Sequence, residues 1–488
     1  MMPRKSRLIA WLSAWPLVGL CSIVVLAQSD EMRDEESLRM RERAMKLESS
    51  IPKWMQKSEV PGLVLGGVWG GEPVGVGFWG IRNTMMQKPV NDETIFAAAS
   101  LTKPVVSYLV LQLVDEGLLK LDQPLADVLL LPELANDPRA ADITVRMILS
   151  HSSGLPNWRW DQPLALLFDP GTKFQYSGEG FVWLSRVVEE ITGEPLEFLV
   201  EERVFRPLGM NNSSLVWRER FADNFAVGHG EDGMAREPQM DEEPNAAASL
   251  LTTARDYSIF LAAALNGKML SEELHSAWFE PQVEVEANVS WGLGWGLQQT
   301  DAGRAVFQWG DNAGYKGFVT ANLRERSGIV VFTNSDNGMG LMGEIVTTAM
   351  GSDQPGFDWL GYESFNSPRR EVRRILERVL ENEGLQATIS EYHSLKRRYP
   401  AEAFQEGLLN GLGYSLMGQE RYEDAVTVFA LNVKEYPNSF NPYDSLGEAY
   451  MRHGDVERAI ENYERSVELN PDNSNGVRML AELREKLQ

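Results

Sequence analysis

Residues 412–439 recur in residues 446–473. Set one above the other, the two stretches pair Leu412 with Leu446, Gly413 with Gly447, Ala425 with Ala459, Phe429 with Tyr463 and Pro437 with Pro471, every pair 34 positions apart. A period of this length belongs to a two-helix unit that cannot bury its apolar face alone and must stack on its neighbours. Small residues fall where the two helices of a unit cross, and the proline follows the second helix, which it cannot continue. Two units are few for a stable stack, so residues 367–400 are expected to supply a degenerate earlier hairpin and residues 474–487 a capping helix.

These repeats fill a small part of 488 residues, so at least one further domain lies upstream, with ample length to bury a core. The formal charge of −24 repels nucleic-acid phosphate, so no nucleic-acid partner is expected, and at long range it favours neutral or cationic substrates. Residues 1–27 carry Arg4, Lys5 and Arg7 ahead of an apolar stretch ending Val25-Leu26-Ala27. They read as an export signal cut after Ala27, which makes the protein secreted or periplasmic. The apolar stretch is also long enough to span a bilayer. A retained membrane anchor is therefore the alternative, against which Pro16 and Gly19 argue. The single cysteine, Cys21, lies inside this segment, so the rest of the chain has no disulfide, no thiolate nucleophile and no cysteine metal ligand.

After the signal, residues 30–58 have a helical pattern, and GLVLGGVWGGEPVGVGFWG reads as two short strands joined by Gly-Gly-Glu-Pro. A helical pattern then dominates from Ser100 to about Asn266. Strands return in AVFQWG, KGFVTANLR and GIVVFTNS, short and rich in aromatic and β-branched residues. Strands from both ends thus bracket a helical middle, which implies one sheet assembled from distant segments with a helical insertion, and a cleft between them. Composition changes in GSDQPGFDWLGYESFNSPRREV, placing the end of this domain (28–352) near residue 352. A linker and the degenerate hairpin fill 353–400, and the repeats with their cap fill 401–488.

Ser100 and Lys103 stand three apart where FAAAS gives way to the apolar run PVVSYLVLQLV. The Ser-x-x-Lys pattern alone means little; Ser50 and Lys53 also match it, with Pro52 between them, by chance. Around Ser100 the context has physical content. A helix opening there puts Pro104 in the first turn, where it is tolerated, and Lys103 on the same face as the serine. The run is apolar almost all round, so the helix is buried. An ammonium in such surroundings loses hydration, its pKa falls, and it can take the serine proton. The competing reading is a serine N-cap with a lysine snorkelling to solvent.

Other segments supply the remaining argument. TIFAAASLTKP, ITVRMILSHSSGLPNW, PGTKFQYSGEGF, PLGMNNSS, LLTTARDYSIF, GLGWGL and FQWGDNAGYKGF occur in this order. In them the chain from about 50 to 350 resembles the penicillin-recognising serine hydrolases, in the branch of class C β-lactamases, DD-peptidases, D-amino-acid peptidases and related esterases. The 34-residue repeats resemble tetratricopeptide repeats. The resemblance implies an α+β fold: a β-lactamase-like antiparallel sheet flanked by helices with an inserted helical subdomain, followed by an all-α repeat domain. It also implies Ser100 as nucleophile, Lys103 as its base, Tyr176 as proton relay, and the backbone N–H groups of Ser100 and Asp311 as the oxyanion hole. Gly178 stands where the family often has an asparagine that recognises a substrate amide. Gln308-Trp309-Gly310 stands where the family has Lys or His, then Thr, then Gly, and of these only Gly310 matches, keeping the backbone open to substrate. With no charge at Gln308 to hold a carboxylate, an ester or peptide amide is expected to be a better substrate than a β-lactam. Lys316 would lend a charge only if the strand register were shifted.

His151 matches a family loop and is read as structural, whereas His229, His275, His393 and His453 are scattered without metal-ligand spacing. Trp291, Trp295 and Trp309 are candidates for an aromatic wall of the cleft. The expectation is an exported serine hydrolase needing no cofactor or metal, acting on a small ester or peptide, with a protein or peptide partner at the repeats. The alternative is an inactive, hydrolase-shaped scaffold that recruits a partner through its tail.

Overall fold

In the computed structural model, the described residues are 35–160, 162–238 and 240–486. The expected signal or anchor over 1–27 lies outside them. Among the described residues no helix is long and apolar enough to cross a membrane. The chain divides into two compact units, one running to Glu363 and the other from Ser364.

The first unit is built on the sheet that the bracketing strands imply. Its strands are β1 (Gly62–Trp69), β2 (Glu72–Asn83) and β3 (Lys88–Pro89) from the start of the chain. A separate pair, β4 (Phe96–Ala99) and β5 (Leu250–Thr252), flanks the middle. Then come β6 (Val283–Glu286), β7 (Val289–Trp291), β8 (Gly296–Thr300), β9 (Gly303–Asn312), β10 (Tyr315–Asn322) and β11 (Ser327–Thr333). The nine-stranded order is β3-β2-β1-β11-β10-β9-β8-β7-β6, antiparallel at each junction, and β4 pairs with β5. The two ends of the chain meet at β1 and β11, in register from Leu63↔Thr333 to Val68↔Gly328. All of β10 and β11 is buried, as a run of Val, Ile and Phe covered on both faces must be. Against β1 lies the helix Ala254–Leu265; a Cβ on Gly66 would stand 2.6 Å from the Ala254 carbonyl, so the strand carries no side chain where the helix crosses.

The helix Thr102–Asp115 is buried from Thr102 to Leu113 without an exposed face, and it forms the centre of the core with Tyr108, Leu109, Phe260 and Trp295. The expected helical middle is only partly helical. Besides Val145–Leu149, Gly178–Thr192 and shorter pieces, residues 116–144 make only brief tight turns and the described residues of 150–177 form no helix. Pro124, Pro132, Pro138, Gly154, Pro156, Pro163, Pro170 and Gly171 break the chain too often for regular helix.

The expected boundary at 352 is also corrected. Gln354 enters the first unit, where its Oε1 accepts from Gln298 Nε2 at 3.0 Å and from Thr320 Oγ1 at 3.2 Å. The helix Pro355–Trp359 then docks: the Gly356 N–H donates to Gln298 Oε1 at 2.9 Å, and Phe357 meets Phe318 edge-on. Residues 353–363 are part of this unit.

The second unit opens with the hairpin Pro368–Glu383 and Leu385–Leu395. Two repeats follow, Glu406–Gly418 with Tyr422–Glu435 and Phe440–His453 with Val456–Leu469, and Ser474–Lys486 closes the stack. The repeated glycines have a shared cause. A Cβ on Gly413 would sit 2.5 Å from the Phe429 ring, and one on Gly447 3.1 Å from the Tyr463 ring, so the second helix of each unit rests its aromatic ring on bare backbone of the first.

Candidate active site

Ser100 stands at a tight junction between β4 and the buried helix. Ala99 takes a left-handed conformation (φ +50°), which a residue with a Cβ adopts only when its surroundings hold it there. Helix geometry begins at Thr102, so Ser100 is not the N-cap, and Pro104 falls in the first turn as expected. Thr102 fastens the junction, its Oγ1 donating to the Ala99 carbonyl at 2.6 Å and accepting from the Leu250 N–H at 2.9 Å.

Lys103 is 1% exposed. Its Nζ lies 3.1 Å from Ser100 Oγ and donates to the Ala247 carbonyl at 3.0 Å. It sits 4.6 Å from the centre of the Tyr176 ring and 5.7 Å from that of Phe181. Among the described residues no carboxylate pairs with it, and burial pulls its pKa from 10.5 to about 7. The snorkelling alternative is therefore excluded.

Burial raises the pKa of Tyr176, whose hydroxyl lies beside Ser100. Gln308, fully buried, donates from Nε2 to the Tyr176 hydroxyl at 2.7 Å and to the Ser100 carbonyl at 3.1 Å. His151 supports the tyrosine from behind, with ring centroids 4.3 Å apart. Its Nδ1 accepts from the Ser177 N–H at 3.1 Å, and burial, with Lys103 nearby, holds its pKa well below the usual value. A neutral imidazole in that place is a packing and orienting group, as read from sequence.

β9 brings the third set of residues. Gln308 and Gly310 face β4 and the Ser100 junction, and a Cβ on Gly310 would stand 2.4 Å from the Ala98 carbonyl. The glycine is thus required for close packing of β9 on β4, a different reason from the expected opening toward substrate. Asn312 and Tyr315 close a two-residue turn and form a bonded pair, which makes Asp311 and Lys316 the following non-bonded pair. The Asp311 N–H consequently points away from β10. β8 pairs with β9 only as far as Phe307, leaving that edge open. The Lys316 ammonium is held between Asp311 (2.9 Å) and Asp336 (2.7 Å), and it does not face Ser100.

The aromatic wall is revised. Trp295 is deep core beside Phe260 and Trp278, and Trp291 is fully buried beneath His151 and Tyr176. Trp309 alone of the three is partly exposed, its ring 4.5 Å from that of Tyr176. Three further residues escaped the reading by motif. Trp359 meets Trp309 edge-on, Tyr362 donates to Asp311 Oδ2 at 2.5 Å, and Trp158 stands against Gly178. The first two lie beyond residue 352; the third ends LSHSSGLPNW, where the sequence alone carries no sign of its contact with Gly178.

Fold and site together define a class: a hydrolase-type α+β domain with a buried Ser-Lys-Tyr cluster between a helix start and a sheet strand. The chain belongs to the β-lactamase family, whose model matches residues 47–345. A tetratricopeptide repeat model matches residues 441–473. Among curated relatives, penicillin-binding protein 4 of Amycolatopsis lactamdurans is 30% identical over 43% of this chain and 65% of its own length. Esterase EstB of Burkholderia gladioli is 30% identical over 50% of this chain and 79% of its own. Lovastatin esterase of Penicillium rubens is 32% identical over 26% of this chain and 41% of its own. The chain thus spans just under two thirds of the first of these relatives and less than half of the last. A class C β-lactamase shares the fold at TM-score 0.57 and 18% identity, over 64% of this chain and 96% of its own.

Proposed function

We propose that the protein is an exported serine hydrolase that acylates Ser100 with a neutral ester or peptide amide and releases the acyl group to water. The observation that carries this reading is the buried, uncompensated Lys103 amine 3.1 Å from the Ser100 hydroxyl. With its pKa near 7, a large fraction of Lys103 is the free amine at neutral pH, and its lone pair accepts the Ser100 proton as Oγ attacks the carbonyl. Gln308 donates to the Tyr176 oxygen, which leaves the tyrosine's own proton to pass to the leaving group while the proton that Lys103 took from Ser100 replaces it on the tyrosine. The N–H groups of Ser100 and Asp311 receive the oxyanion. Water then attacks the acyl-enzyme and the proton path runs in reverse.

Gln308, buried against Tyr176 and the Ser100 carbonyl, brings no positive charge to the site, which favours neutral substrates and disfavours β-lactams. Two of the relatives are named as esterases, which supports the ester reading. The repeat unit binds a protein or peptide partner in this proposal. The test is intact-mass measurement after exposure to a small fluorophosphonate. One adduct is expected, absent in Ser100→Ala; an unlabelled wild type would favour the scaffold reading. Comparison of short-chain esters, D-amino-acid amides and a chromogenic cephalosporin should then leave the cephalosporin slowest.

A further inference from the structure

A substrate-binding side chain at position 178 has no room. A Cβ built on Gly178 would lie 2.5 Å from Cη2 and 2.6 Å from Cζ2 of Trp158, so the indole ring already fills that space. The ring is held in place from both sides. Asn157 accepts the Gly178 N–H with its carbonyl and with Oδ1, each at 3.0 Å, and its carbonyl also accepts the Glu179 N–H at 3.1 Å. On the other side, the Arg159 N–H donates to Glu179 Oε1 at 3.1 Å and its guanidinium pairs with Glu179 Oε2 at 3.3 Å. Glu179 is buried in the first turn of the helix Gly178–Thr192, so both neighbours of Trp158 are fastened to the element that begins two residues after Tyr176. The ring packs on the core with one side and is partly exposed on the other. Trp309 is also partly exposed, with its ring 4.5 Å from that of Tyr176.

From this we propose that Trp158 is a specificity-determining residue, a rigid indole face that, with Trp309, selects substrates carrying a flat apolar group beside the scissile carbonyl. The inference rests on Ser100 being the nucleophile. A fixed aromatic face gains from stacking and from apolar burial but offers no amide partner. Peptide-like groups that must leave water to approach it leave their own N–H and C=O unpaired.

The experiment compares kcat/KM for two ester series, one varying the acyl group from acetyl to phenylacetyl with the alcohol fixed, the other varying the alcohol from methyl to naphthyl with acetyl fixed. The wild type should prefer the aromatic member of at least one series. Trp158→Ala should lower that preference by about tenfold, the range one apolar contact supplies in a pocket, mainly through KM. Trp158→Phe should keep most of it, which separates contact with substrate from support of the fold. Trp158→Ala combined with Gly178→Asn should shift preference toward acyl groups bearing an amide. An aromatic preference equal in wild type and Trp158→Ala, or lost equally in Trp158→Phe, would overturn the proposal. Labelling of wild-type Ser100 by the fluorophosphonate checks the underlying reading separately: an adduct without any aromatic preference sinks this inference alone.

Discussion

Lys103 is the residue on which the proposed mechanism depends, and its burial has a measurable cost. Its folded pKa lies below the unfolded value, so between about 7 and 10.5 the unfolded chain binds more protons than the folded one. Stability must therefore rise with pH across that window. The contribution is least favourable below pH 7, where the buried amine is charged. Urea unfolding of the wild type against Lys103→Met should show the wild type gaining on the variant from pH 7 to 10; parallel curves would mean an amine that stays hydrated. In the proposed mechanism Tyr176→Phe removes the relay proton, while it keeps the ring against His151 and Trp309. We expect kcat to fall by about 10²–10⁴, with little change in unfolding midpoint. That Ser100 and Lys103 lie together was legible because a spacing of three on one helix start fixes it, and that Tyr176 joins them was legible only through the resemblance of QYSG to a family motif. Trp158 was not, because its meaning arises from a clash with Gly178, twenty positions away.

Among the elements, β9 matters most, since one strand carries Gln308 to the tyrosine, Gly310 to the serine junction and the Asp311 N–H to an open edge. Gly310→Ala should push β9 off β4 and cost about 1–3 kcal/mol, with activity falling further than stability because the proposed oxyanion donor moves with the strand. Asp311 poses an electrostatic problem that Lys316 and Tyr362 answer. Its carboxylate belongs to the residue whose N–H is the proposed oxyanion donor, and both neighbours hold that charge. Lys316→Met should thus lower kcat with little change in KM; equal loss in both would point to general disorder. The strands around Phe307, Phe318 and Val330 were legible from their composition. Those between Val283 and Thr300 were not, since VEVE and GLQQT lack the apolar run of a two-face-buried strand.

The whole molecule divides where long-range contacts, not composition, dictate. GSDQPG looks like a linker, yet Gln354 is hydrogen-bonded to β8 and β10, and Phe357 and Trp359 cover the aromatic cluster behind the site. A chain ending at Glu363 should retain ester hydrolysis, whereas one ending at Ser352 should lose it and aggregate. Equal activity of the two would refute the later boundary. The repeats were legible because their period writes the same glycine-on-ring contact twice. The account as a whole turns on one titration: the single-turnover rate at which a neutral fluorophosphonate labels Ser100, followed against pH. It should rise as one proton is lost with an apparent pKa of about 7 and vanish in Lys103→Ala. A rise centred near the ordinary lysine value of about 10.4, or a rate indifferent to the substitution, would contradict it.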